Sequence, residues 1–124
     1  MTTRLRDING DRLTLRRGTS PTLIFAVVEA GTTTPKSLIG ATEVSLAIGA
    51  KNSAAARTLL ITLEEGITHD GAGGLVTVTL TAAQTEALPV GTSWAELWIT
   101  DSTGQRDLAG AGACAVVDTL ITVP

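Results

Sequence analysis

Residues 74–117, GLVTVTLTAAQTEALPVGTSWAELWITDSTGQRDLAGAGACAVV, constrain the fold of this chain more than any other stretch. Val76, Val78 and Leu80 alternate with Thr77 and Thr79, which puts the apolar side chains on one face of a strand. Thr81-Ala82-Ala83-Gln84 then has the form of a capping box, in which a threonine hydroxyl accepts from the N3 amide while the glutamine reaches back. Pro89 stops the short helix so begun, because it has no amide hydrogen and disfavours an α-helical residue before it. Alternation resumes at Ala95, Leu97 and Ile99. Asp101-Ser102-Thr103-Gly104 fits a type I turn with a glycine at the left-handed position, closing a hairpin onto a last strand at residues 113–117.

Upstream the same alternation recurs in short runs. Leu13 and Leu15 mark a first strand, broken by Gly18-Thr19-Ser20-Pro21. Leu23, Phe25 and Val27 share one face of a second, Val44, Leu46 and Ile48 one face of a third, and Leu59, Ile61 and Leu63 one face of a fourth. Residues 30–37 read as a loop, and Asp70-Gly71-Ala72-Gly73-Gly74 as a flexible turn. Residues 120–123 add a candidate edge segment. The pattern predicts an all-β domain: an immunoglobulin-like antiparallel β-sandwich of about seven strands, with one short helix near residues 82–88. The sandwich takes residues 13–124, preceded by an extended basic arm over residues 1–12, where periodicity is lacking and Asn9-Gly10-Asp11 signals a turn.

Composition agrees. A chain of 124 residues forms one domain and buries roughly two-thirds of its unfolded surface, enough for a core without metal or disulfide. Its 44% hydrophobic content is almost all aliphatic and alanine, with one Phe, two Trp and no Tyr. Cys114 is the lone cysteine, which excludes an intrachain disulfide and reads as a buried core thiol. The N-terminus lacks the apolar segment of a signal peptide, and no apolar run approaches the ~20 residues that span a bilayer. Synthesis in the cytosol and solubility are the expectation. The net charge of −3 is unevenly placed. Residues 1–17 hold Arg4, Arg6, Arg12, Arg16 and Arg17 against Asp7 and Asp11, a net +3, whereas residues 18–124 hold four basic and ten acidic groups, a net −6.

Several of these signals carry a resemblance. They are Gly18-Thr19 before the second strand, Leu38-Ile39-Gly40-Ala41-Thr42 ahead of the third, and Gly74-Leu75-Val76-Thr77-Val78. Leu80-Thr81-Ala82-Ala83-Gln84-Thr85, Leu88-Pro89-Val90-Gly91 and the turn Asp101-Ser102-Thr103-Gly104 follow in order. Over about residues 13–117 the chain resembles the immunoglobulin-like N-terminal domain of siphophage baseplate upper proteins, and related phage tail and head-fibre modules. The resemblance implies a non-enzymatic structural protein of a tailed-phage virion, in the tail or baseplate or decorating the capsid. It implies synthesis in the host cytoplasm and repeated copies packed as a homo-oligomer with other virion proteins. No cofactor, nucleic acid or membrane is expected. Two features depart from the pattern. Members of the family often continue into a coiled coil or receptor-binding region, whereas this chain stops at Pro124, which favours an adaptor, tail component or decoration. The strand after Gly91 is usually rich in Tyr and here carries Trp94 and Trp98.

Trp94, Glu96 and Trp98 share one strand face, opposite Ala95, Leu97 and Ile99. Either the tryptophans form a protein–protein contact, where Trp is favoured, or the faces are swapped and the indoles pack between the sheets. The arginines at positions 4, 6, 12, 16 and 17 fit docking onto the acidic body of a neighbouring copy, or a solvated tail. An acidic body argues against nucleic acid. His69 beside Asp70 is a loop histidine, since one His and one distant Cys do not make a zinc site. Asp7-Ile8-Asn9-Gly10-Asp11 is a turn, its glycine misplaced for a calcium loop. With no nucleophile beside His69 and no phosphate-binding loop, an enzyme is not expected. The rival to a virion protein is an immunoglobulin-like binding module for a host cell-surface glycan or protein, for which Trp94 and Trp98 would serve.

Overall fold

A computed structural model of the chain describes residues 3–4, 13–28, 34–49 and 57–118. Its elements are β1 (Thr3–Arg4), β2 (Leu13–Arg16), β3 (Thr22–Ala26), β4 (Glu43–Gly49), β5 (Arg57–Leu63), β6 (Gly66–His69), β7 (Leu75–Thr79), α1 (Ala82–Glu86), β8 (Gly91–Thr100) and β9 (Arg106–Val117). The protein is all-β with a single short α-helix among the described residues. Among the described residues nine strands stand where about seven were expected. β6 has one apolar residue, Ile67, and so shows no alternation to count; β1 is two residues long. β9 begins at Arg106, well before the residues 113–117 read as the last strand. Residues 120–123 lie outside the described residues.

All nine strands belong to one sheet, ordered β1-β9-β8-β4-β5-β6-β7-β3, with β2 also paired to β9. Three of the pairings are parallel: β1 with β9, β2 with β9, and β5 with β6. The sheet is thus mixed, where a purely antiparallel one was expected, because period-2 alternation marks a strand without saying which way its neighbour runs. β1 lies opposite Gly110 and Ala111, and β2 opposite residues 114–117, so the two occupy successive stretches of one edge of β9. β8 holds the other edge.

This connectivity forces the sheet to curl. β2 and β3 sit at opposite ends of the sheet, seven strand spacings apart, or about 34 Å if it were flat. The chain joins them through residues 17–21, which span at most about 20 Å. The sheet therefore wraps until its ends approach, and its concave side becomes the core. Strands β2 to β9 all contribute to a single buried cluster, from Leu13 and Leu15 through Phe25, Leu46, Ile61, Ile67 and Val78 to Leu97 and Cys114.

The helix α1 fastens the closing connection. Its capping box is complete: Thr81 Oγ1 accepts from Gln84 N at 3.1 Å, and Gln84 Oε1 accepts from Thr81 N at 2.8 Å. Thr85, the one buried polar residue among those described, donates its hydroxyl to Thr19 O at 2.7 Å. Arg17 donates through Nε and Nη2 to Glu86 O at 3.2 and 2.8 Å, satisfying a carbonyl that the end of a helix leaves open. At the far side of the body Gly74 adopts φ +71°, and a Cβ there would lie 2.6 Å from Val27 O and 2.8 Å from Lys36 O, so both the backbone angle and the space require glycine.

Candidate functional site

The outer face of the β9-β8-β4-β5 part of the sheet carries the candidate site. On β8 the side chains of Ala95, Leu97 and Ile99 are buried, while Trp94, Glu96 and Trp98 lie half-buried on the opposite face. The indoles do not pack between layers. Register explains why large aromatics settle outside without being fully exposed. Trp94 stands between Gly49 and Ala113, Glu96 between Ala47 and Ala111, and Trp98 between Ser45 and Leu108. Directly opposed side chains lie about 5 Å apart. Five of these six neighbours are glycine, alanine or serine, so the rings can lie down over the sheet.

Residues two apart on a strand sit about 6.8 Å from one another, a spacing that fits one carboxylate between two indoles. Trp94 Nε1 donates to Glu96 Oε2 at 3.1 Å and Trp98 Nε1 donates to Glu96 Oε1 at 3.0 Å. Both bonds go to an ionisable acceptor, the stronger class of hydrogen bond. They fix the rotamers of all three side chains at once. Each carboxylate oxygen has two acceptor positions, so each retains one.

Arg106 completes the group, its guanidinium carbon 4.4 Å from the centroid of a Trp98 ring. Sequence reasoning missed Arg106. A bulge opposite Leu97 and Trp98 makes Gly110 and Leu108 their partners, inserting Ala109 as an extra residue and bringing Leu108 and Arg106 round to the Trp98 face. Counting back along an unbroken hairpin would have put Arg106 on the other side. Leu60, 42% exposed, adds apolar surface beyond Ala47 in the same row.

Of the five arginines of the N-terminal stretch, Arg16 and Arg17 have described side-chain contacts. Arg6 and Arg12 lie outside the described residues, and Arg4 is in β1 on the edge of the chain's own β9. Arg16 donates to Asp118 O at 3.0 Å. Arg17 bridges α1 and the end of β9, with Nη2 3.7 Å from Glu86 Oε1 and Nη1 3.3 Å from Asp118 Oδ1. Elsewhere, His69 Nδ1 accepts from Gly71 N at 3.0 Å in a tight turn, and no group of three His, Cys, Asp or Glu among the described residues is placed to hold a metal ion. Burial raises the Cys114 thiol to about 11, which keeps it neutral. Among the described residues no helix is long and apolar enough to cross a membrane.

The fold has a known counterpart. The N-terminal domain of phage TP901-1 ORF48 superposes with a TM-score of 0.60 over 94% of this chain and 93% of that one, at 15% sequence identity. The phage resemblance in the sequence thus extends to the fold. CopC from Methylosinus trichosporium OB3b aligns over 98% of both chains at 13% identity, with a TM-score of 0.48. No family model matches the sequence, and no curated protein is similar to it.

Proposed function

We propose that this chain is a non-enzymatic structural protein of a tailed-phage virion, a tail or baseplate component or a capsid-attached decoration or fibre-anchoring module. It works by protein–protein assembly, with copies of itself and with other virion proteins. The observation that carries the reading is the outer face around Trp94, Glu96 and Trp98. Aromatic side chains on an alanine-lined strand face, held in fixed rotamers by a shared carboxylate, are the rigid anchors that protein interfaces favour. The fold likeness to a phage domain over nearly the full length of both chains supports the virion setting. A host glycan is disfavoured as the ligand, because Arg106 already stacks on the Trp98 ring face where a sugar would sit.

Two experiments test this. Mass spectrometry of purified virions of the encoding phage should find the chain at a copy number in step with other structural proteins; its absence from intact particles sinks the reading. Deleting residues 1–12 should weaken self-association in light scattering, most at low salt, since that stretch carries Arg4, Arg6 and Arg12. An assembly state that ignores the deletion counts against the arm.

A further inference from the structure

We infer that β3 is a docking edge for a second copy of this chain, the two strands pairing antiparallel about a two-fold axis at Ile24. This rests on the assembly reading and names a surface it uses. β3 ends the strand order: it pairs with β7 on one side and, among the described residues, with no strand on the other. Leu80 N donates to Pro21 O at 3.0 Å and Val27 N donates to Gly74 O at 2.9 Å, one bond at either end of the β3–β7 ladder. In an antiparallel ladder, the residues that bond a given neighbour alternate along the strand. Leu23 and Phe25 therefore bond β7, and the N–H and C=O groups of Thr22, Ile24 and Ala26 point outward. Residues 36–38 run towards the turn before β7 and not over this edge, Leu38 N donating to Gly71 O at 2.7 Å.

Sheet edges are ordinarily protected by charge, proline or a bulge. The opposite end of the sheet follows that rule. There β2 ends in Arg16, whose carbonyl already accepts from Thr19 N at 3.4 Å and from Thr19 Oγ1 at 2.7 Å. β3 has no such protection: Thr22-Leu23-Ile24-Phe25-Ala26 contains neither charge nor proline, and its register against β7 is unbroken. A copy of the same strand fits it. Antiparallel pairing sets outward-facing residues against one another, Ile24 against Ile24 and Thr22 against Ala26 of the other copy, so that every outward backbone group finds a partner. On the inner face Leu23 meets Phe25 of the other copy in the closer type of pair, which joins the two cores. Leu23, at 8% exposed, is the least buried member of the core cluster and gains most from that cover. A neutral strand also meets its copy without the repulsion that facing like charges would bring. Five residues span only about 17 Å, less than a stand-alone complex of ~800 Å² per partner needs. The dimer should therefore be weak, with a dissociation constant on the order of 100 μM, a strength suited to copies that an assembly already holds together.

Amide exchange of the full chain, followed by NMR beside analytical sedimentation from about 20 μM to about 1 mM, tests the pairing. The amides of Thr22, Ile24 and Ala26 should exchange quickly in dilute solution and slow severalfold as dimer forms. Those of Leu23 and Phe25, already bonded to β7, should stay protected throughout. Ile24→Lys places like charges across the axis and should raise the dissociation constant at least about tenfold, with a thermal melt to confirm folding. Cysteine pairs read the register without depending on that variant. Thr22→Cys mixed with Ala26→Cys should form a disulfide-linked dimer at least about tenfold faster than either variant alone, because in the mixture alone the two thiols stand directly opposite. Cys114 is buried and does not compete. A chain that stays monomeric to about 1 mM, a dimer that leaves these amides unchanged, a folded Ile24→Lys variant with wild-type association, or equal cross-linking rates each overturn the inference. None of these failures touches the virion reading, which stands or falls on the particle composition.

Discussion

Asp101 organises the β8–β9 hairpin almost alone. Its Oδ1 accepts from Thr103 N at 2.9 Å, from the Thr103 hydroxyl at 2.6 Å and from Gln105 N at 3.0 Å. The Thr103 hydroxyl, followed by the backbone amides of Thr103 and Gln105, holds the carboxyl below its ordinary 3.8 even though the group is exposed. A lowered folded value means that the ionised form favours the folded state. That contribution is complete above the unfolded value and disappears as the pH falls through the lower folded one. Asp101→Asn should therefore lower the melting temperature at neutral pH, and the gap from wild type should close as the pH is taken well below 3.8. A gap that stays constant down to pH 2 would show that the hydrogen-bond geometry matters and the charge does not. Cys114 behaves in the opposite manner. It is fully buried and its thiol is raised to about 11, so a maleimide at pH 8 should leave the folded protein unmodified and label it fully in denaturant.

Among the secondary-structure elements, those written locally were legible in the sequence. The capping box at Thr81 and Gln84, the stop at Pro89 and the turn at Asp101 depend on residues within four positions of one another, and the structure contains each. Thr81→Ala should cost about 1 kcal/mol in urea unfolding, the usual worth of an N-cap. A loss near zero would mean that burial of Leu80 and Leu88 holds α1 without its cap. What depends on register was not legible. Trp94, Glu96 and Trp98 alternate perfectly with Ala95, Leu97 and Ile99, so either set could have faced the core. The facing residues decide the matter: Gly49, Ala47, Ala111 and Ala113 are small enough to seat indoles outside, and the first two come from β4, far away in sequence, while the pairing of the last two depends on the hairpin register. Arg106 was hidden by a bulge. Leu38, only 2% exposed, sits in a stretch with no alternation, so period 2 does not mark it as core.

For the molecule as a whole, the pairing of β2 with β9 has a mechanical consequence. These strands run parallel along four matched positions, from Leu13 with Cys114 to Arg16 with Val117. Tension applied ahead of β2 and beyond β9 drags two neighbouring ribbons past each other lengthwise. Every bond between them then bears load together, whereas a hairpin pulled at its open end tears one rung at a time. Forced unfolding is a rate process, so this geometry lengthens the lifetime under load. In single-molecule stretching, handles fixed at Leu13 and Val117 should require a higher rupture force than handles at Thr92 and Ala115, which tug β8 and β9 apart crosswise. Equal forces would mean that the give lies elsewhere. A domain strung between moving parts of a larger machine would be strongest along that line.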